Sequence, residues 1–156
     1  MFKRNHLALT AIFLWVLTLV VFGYFVYFGT LTGEVEGGRK VIQVTASELA
    51  FIQERMIFSL KQIAQIQAAL AVEDLKAIVE PARSLGRGNG VEAPKSLPLK
   101  MPFDFRRLIV TNQEIFSGMA EKSAQGAFPS ELQEDLTRVL KNCHECHAKF
   151  KVVAGE

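Results

Sequence analysis

Residues Leu7 to Phe28 form an apolar run without one charged side chain, interrupted only by Thr10, Thr18 and Gly23. About 20 such residues span a bilayer as a helix, because only a helix satisfies its own backbone groups where water is absent. Met1-Phe2-Lys3-Arg4 is short and basic, which keeps the N-terminus in the cytoplasm. Tyr24 and Tyr27 fall near the outer end, where interfacial aromatics belong; Trp15 falls mid-span. A cleaved leader is the rival reading. Its apolar core is usually about 7–15 residues long and ends in a small-x-small site. Gly29-Thr30-Leu31-Thr32-Gly33 is a poor site of that kind. The sequence therefore predicts an uncleaved single-pass anchor touching lipid through residues 7–29, with everything beyond Gly33 outside the cytoplasm. Gly29 and Gly33 also make a G-x-x-x-G pair, a helix-dimer spacing, though terminal glycines more often loosen a linker.

The chain carries 18 basic and 16 acidic residues. Without Lys3 and Arg4 the remainder holds 16 of each. The net charge thus belongs to the cytoplasmic tail, and no basic surface is left to favour nucleic acid.

Near the other end stands Cys143-His144-Glu145-Cys146-His147. This is C-x-x-C-H, the attachment signature of a c-type haem. Two thiols three apart on a helix point the same way, so both can form thioethers to one porphyrin. His147 then follows on that side as proximal iron ligand. Three alternatives compete. Zinc wants four ligands, and this chain has two cysteines and three histidines, with His6 at the far end. A thioredoxin-like pair wants a strand–turn–helix setting, and no strand-like alternation stands near the motif. A Cys143–Cys146 disulfide would close a very short loop and stabilise little. One covalent haem c is the expected cofactor. Bacterial c-type haems are attached outside the inner membrane, so a periplasmic domain on an inner-membrane anchor is expected.

The exterior part reads as four helices. Thr45-Ala46-Ser47-Glu48 is a capping box, and Leu49, Ile52, Met56, Leu60, Ile63 and Leu70 then recur as one helical stripe. This first helix should run to about Ala71. A second, Val72 to Leu85, ends at Gly86-Arg87-Gly88-Asn89-Gly90, and a rigid, non-helical loop follows with Pro94, Pro98 and Pro102. Phe105, Leu108, Ile109, Asn112, Ile115, Phe116 and Met119 give a third helix one apolar stripe with a single polar member. Ser130-Glu131-Leu132-Gln133 is a second capping box. Beyond it Leu132, Leu136, Val139, Leu140, Cys143, Cys146, His147 and Phe150 should share the buried face of the last helix. Mostly short connections favour an antiparallel arrangement. The expected class is all-α: a tail and anchor over 1–30, a flexible linker over 31–44, and an antiparallel four-helix-bundle haem domain over 45–156.

A haem signature near the C-terminus of the last helix of such a bundle resembles the cytochrome c prime family, over about residues 45 to 153. The likeness is sharpest at Asn142 to Lys151, where Phe150 and Lys151 stand in the family's aromatic and basic places after the ligand histidine. The membrane anchor and the proline-rich loop depart from the family. The resemblance implies two possibilities for the sixth iron position: open behind an apolar residue, for NO or CO, or filled by methionine in an electron carrier. Met56 is the candidate, because three turns into the first helix matches the level of His147 in an antiparallel bundle. Members also dimerise through their first helices, and Phe51 and Phe58 lie on a line nearly opposite Met56, a candidate homodimer face. His144 should be solvated, and Arg106, Arg107, Lys141, Lys149 and Lys151 gather at the haem end. The expected function is single-electron transfer to membrane-embedded or periplasmic redox proteins. The alternatives are a five-coordinate gas-binding protein or a haem subunit of a larger respiratory or photosynthetic complex. No catalytic triad or substrate pocket is legible, so no enzyme is expected. The haem should lie at the membrane-proximal end of the bundle.

Overall fold

The computed structural model describes residues 2–29, 31–86 and 91–155. Past Gly86, the glycine-rich helix stop expected at 86–90 lies outside the described residues, as do Met1, Thr30 and Glu156. The chain is mostly helical. Helix α1 (Phe2–Phe28) contains the apolar stretch Leu9–Phe28, long enough to cross a membrane and unburied by the rest of the chain.

A short sheet and a set of packed helices follow. In order they are β1 (Leu31–Glu36), β2 (Arg39–Val44), α2 (Ala46–Ala71), α3 (Leu75–Gly86), the one-turn α4 (Leu97–Lys100), α5 (Phe103–Ala124), α6 (Pro129–Lys149) and β3 (Phe150–Ala154). The stretch expected to be a flexible linker is instead a β-hairpin. Gly37 and Gly38 form its two-residue turn, both with positive φ, the geometry whose twist matches antiparallel strands and which glycine adopts without penalty. Parallel to β2 runs β3, in register from Lys40 opposite Phe150 to Val44 opposite Ala154. Phe150 therefore opens a strand and does not continue the last helix, although its side chain is buried as expected.

Local chemistry sets the helix ends. The Thr45 side chain accepts from the Glu48 backbone N–H at 3.3 Å, and the Glu48 carboxylate accepts from the Thr45 N–H at 2.8 Å. The capping box read at Thr45 is thus formed. Its counterpart at Ser130 is not: α6 starts two residues earlier than that cap would set it, at Pro129, with no side-chain cap. Proline at the first helical position lacks the N–H that would need capping and presets φ. Val72 to Asp74 turn the chain before α3, and Asp74 accepts from the Ala77 N–H at 3.1 Å, so α3 begins three residues later than the sequence suggests. The proline-rich loop, expected to be non-helical, contains α4, with proline in its first turn.

Residues from α2, α3, α5 and α6 make one core. Ile66, Ile78, Met119, Leu132, Leu136 and Val139 are fully buried in it; each contributes about 1.5–3 kcal/mol of apolar burial. A second cluster sits at the end where α2 and α5 begin and α6 finishes. Ile42, Val44, Leu97, Met101, Phe105, Leu108 and Phe150 form it, and the Phe105 ring meets Phe150 edge-on at 5.5 Å. Helix α1 meets the other elements at this same end. Tyr27 stacks on Phe103 with ring centroids 6.1 Å apart, and Arg106 Nη2 donates to the Val26 carbonyl. Gly29 has positive φ, and a Cβ there would strike the Lys100 carbonyl. Glycine at this position lets the chain leave α1 against α4; it is not a loosened link.

Candidate functional site

Helix α6 carries the C-x-x-C-H motif in its last two turns. Cys143 packs against the main core and Cys146 against the end cluster. Both are free and half-buried. Burial pushes the Cys143 thiol up; burial, Cys143 and Glu145 together push Cys146 to about 11. Both therefore stay protonated thiols at neutral pH. Asn142 Nδ2 donates to Asn112 Oδ1 at 2.9 Å, and Asn112 Nδ2 reaches Cys143 Sγ at 3.6 Å. Asn112, the single polar member of its stripe, bonds through its side chain to both Asn142 and Cys143 of α6. It joins α5 to the motif through two side chains. The signal for this lies in its place one polar residue wide on an apolar seam, opposite another asparagine.

On α2, Ile52 belongs with the Cys146 cluster and Phe58 with the Cys143 cluster. Met56 stands between these two residues in sequence. Its stripe differs from expectation in coverage. Met56 is 43% exposed, Leu60 69% and Leu140 48%, and His147 is exposed. These residues were expected on buried faces.

The reason is where α6 and α2 touch. At 100° per residue, Asp135 and Asn142 lie on one edge of α6 and bond to Lys122 and Asn112 of α5. Leu140 and His147 lie on the opposite edge, toward α2. With α2 antiparallel to α6, the same geometry turns the Met56 and Leu60 edge of α2 toward α6. These two helices touch least of the neighbouring pairs. Two apolar edges thus face each other across an open seam, with the thiols of α6 at its rim.

Other expectations resolve individually. Phe51 and Phe58 are partly buried in the chain's own clusters, with the Arg55 guanidinium 5.6 Å above the Phe58 ring. The line opposite Met56 is therefore partly covered within the chain. Met101 and Met119 are buried core residues. His144 is exposed, as expected. Lys149 pairs with Glu145 at 2.6 Å and Arg107 with Asp104 at 3.8 Å, while Arg106 turns to α1. These three members of the basic cluster thus have local partners.

The donor set fits a covalently attached haem. Among the described residues no three His, Cys, Asp or Glu side chains converge as a metal cluster, so zinc finds no tetrahedral set. A haem needs only two thiols on one side of a helix, an accessible imidazole and an apolar slot. Arg55 Nη1 on α2 is buried without a hydrogen-bond partner, and burial lowers the Arg55 pKa. An acidic porphyrin substituent suits such a donor. Compared with protein-family models, with curated proteins and with solved structures, the chain has no significant match.

Proposed function

We propose that the chain is a membrane-anchored monohaem c-type cytochrome carrying single electrons on the periplasmic face of the bacterial inner membrane. Its haem domain is an antiparallel four-helix bundle resembling cytochrome c prime. The observation that carries this reading is the pair of half-buried thiols of Cys143 and Cys146 at the rim of an uncovered apolar seam, with His147 exposed beside them. Haem supplies one-electron iron chemistry when bound. Cys143 and Cys146 would hold it by thioether bonds, and the His147 imidazole would ligate the iron. Met56 on α2 would offer a thioether as a second ligand. Leu60, Leu140 and Ile63 exclude water from the slot. Asn112 and Asn142 fix the Cys143 turn of α6 against α5. The domain's role is to bind, orient and desolvate.

Acid–acetone extraction tests attachment. Haem should stay on the wild-type chain, and the Cys143→Ala/Cys146→Ala double variant should yield no covalent holoprotein. Haem that washes out of the wild type sinks the reading. A gas-binding role with an open sixth position is the competing reading. It is favoured by Leu60, an uncovered apolar side chain one turn from Met56 that can cover the iron instead. A ferrous spectrum unchanged by CO supports electron transfer, and one that shifts with CO supports gas binding.

A further inference from the structure

A groove of about 740 Å³ runs between the outer half of α1 and the α4 turn. Leu17, Val21 and Phe25 line one wall; Pro98, Leu99 and Arg106 line the other. From Leu17 to Val26 the helix advances roughly 14 Å, close to half of a ~30 Å hydrocarbon layer. The groove thus lies along the part of the anchor that would meet the outer leaflet. Its walls are apolar, and Leu99 is 67% exposed, an apolar side chain on a turn that touches little protein.

The charge at its mouth is uncompensated. Lys100, the neighbouring cation, is bound to the Glu48 carboxylate at 2.6 Å. Arg106 gives Nη2 to the Val26 carbonyl and leaves Nε without an acceptor. Among the described residues it pairs with no carboxylate. A cation beside an acyl-wide apolar slot, against a membrane helix, matches one kind of molecule.

We propose that this groove seats one anionic phospholipid of the outer leaflet, with an acyl chain along α1 and its phosphate on Arg106. The proposal rests on α1 being a retained membrane anchor and is independent of the haem. Such a lipid would hold the domain down on the bilayer, with the C-x-x-C-H end of α6 toward the membrane.

Native mass spectrometry of the full-length protein tests it, after its intact mass is recorded. The probes are phosphatidylglycerol and phosphatidylcholine with identical acyl chains. One phosphatidylglycerol should be retained roughly fivefold more tightly than phosphatidylcholine, the contribution of one basic side chain at a membrane surface. Arg106→Gln should bring the ratio near one, with unchanged far-UV circular dichroism. Leu99→Gln, at an exposed position, should weaken both lipids alike. Equal retention by the wild type, a preference that survives Arg106→Gln, or no effect of Leu99→Gln overturns the proposal. An intact mass lacking the apolar run refutes the anchor and the groove with it, leaving the haem reading untouched. A full-length mass without lipid preference refutes the groove alone.

Discussion

The α3–α5 and α2–α6 interfaces use similar residues to opposite ends. Where α3 meets α5 the backbones approach so closely that a Cβ on Gly86 would strike Ser117, and Ile78, Ala82, Phe116 and Met119 are buried. Where α2 meets α6, Met56, Leu60 and Leu140 remain largely uncovered. Methionine and other large apolar side chains stand on both sides, so composition does not explain the difference. Contact does. A stripe facing a close neighbour becomes core, and a stripe facing a divergent neighbour becomes the wall of a slot.

Truncation on the two sides should separate them most sharply. Leu136→Ala, at a fully buried position, should cost about 3–4 kcal/mol in urea unfolding. Leu60→Ala in the haem-free protein should stay within about 0.5 kcal/mol, the range of exposed positions. Equal losses would mean that the seam is closed in solution.

Glu48 comes next, because it fixes the start of α2 beside the seam. Its carboxylate is nearly inaccessible and accepts from Lys100, Ser96 and Thr45. The Lys100 and Ser96 bonds hold its pKa at about 2, down from 4.5. Glu48→Gln should cost about 2 kcal/mol. A depressed carboxylate contributes its stability in full above the unfolded value and loses it as pH falls toward the folded one. Acid titration of the wild type should therefore show stability lost between about pH 4.5 and 2 that Glu48→Gln does not show. Superimposable wild-type and variant profiles over that window would remove the carboxylate's role.

A smaller effect is expected at the tie between α5 and the motif. Asn112→Ala removes the donor to Cys143 and the acceptor from Asn142, and should cost about 1 kcal/mol. Haem attachment should survive, since no attaching group is lost. A variant as stable as wild type would make the asparagine pair incidental.

Smallest in stability is Met56→Ala, within about 0.5 kcal/mol without haem. Its readout is spectroscopic. A low-spin ferrous spectrum that becomes high-spin, with a lowered potential, would assign the thioether to the iron. An unchanged spectrum would return Met56 to the seam wall.

Much of this architecture can be read from residues that act on near neighbours. Thr45 and Glu48 announce the start of α2, and Ala71 closes it where the apolar stripe runs out. The motif sits on a helix because Leu132, Leu136 and Val139 precede it in helical register. What escapes is set by distant partners. Gly37-Gly38 between Val35 and Val41 is a hairpin signal that reads equally as a loose linker. Phe150 reads as the end of the last helix until β2 stands beside it. Ser130 looks like a cap until Pro129 takes the first helical position. At the site the residue types are legible, whereas the uncovered state of Met56, Leu60 and Leu140 depends on how far two helices diverge. No periodicity encodes that distance.

The parallel pairing of β2 with β3 has a consequence for the order in which the molecule assembles. Parallel strands need a long crossover, and here the crossover is everything from 45 to 149. Closing so long a loop is entropically unfavourable until the helices have shortened it, and such non-local contacts slow folding. Until it closes, the turns bearing Cys143 and Cys146 lack the edge-on contact of Phe150 with Phe105 that completes the end cluster. The terminal strand acts as a latch on a clock, shut only after the rest of the domain has formed. Hydrogen exchange should show its amides among the first of the ordered segments to open.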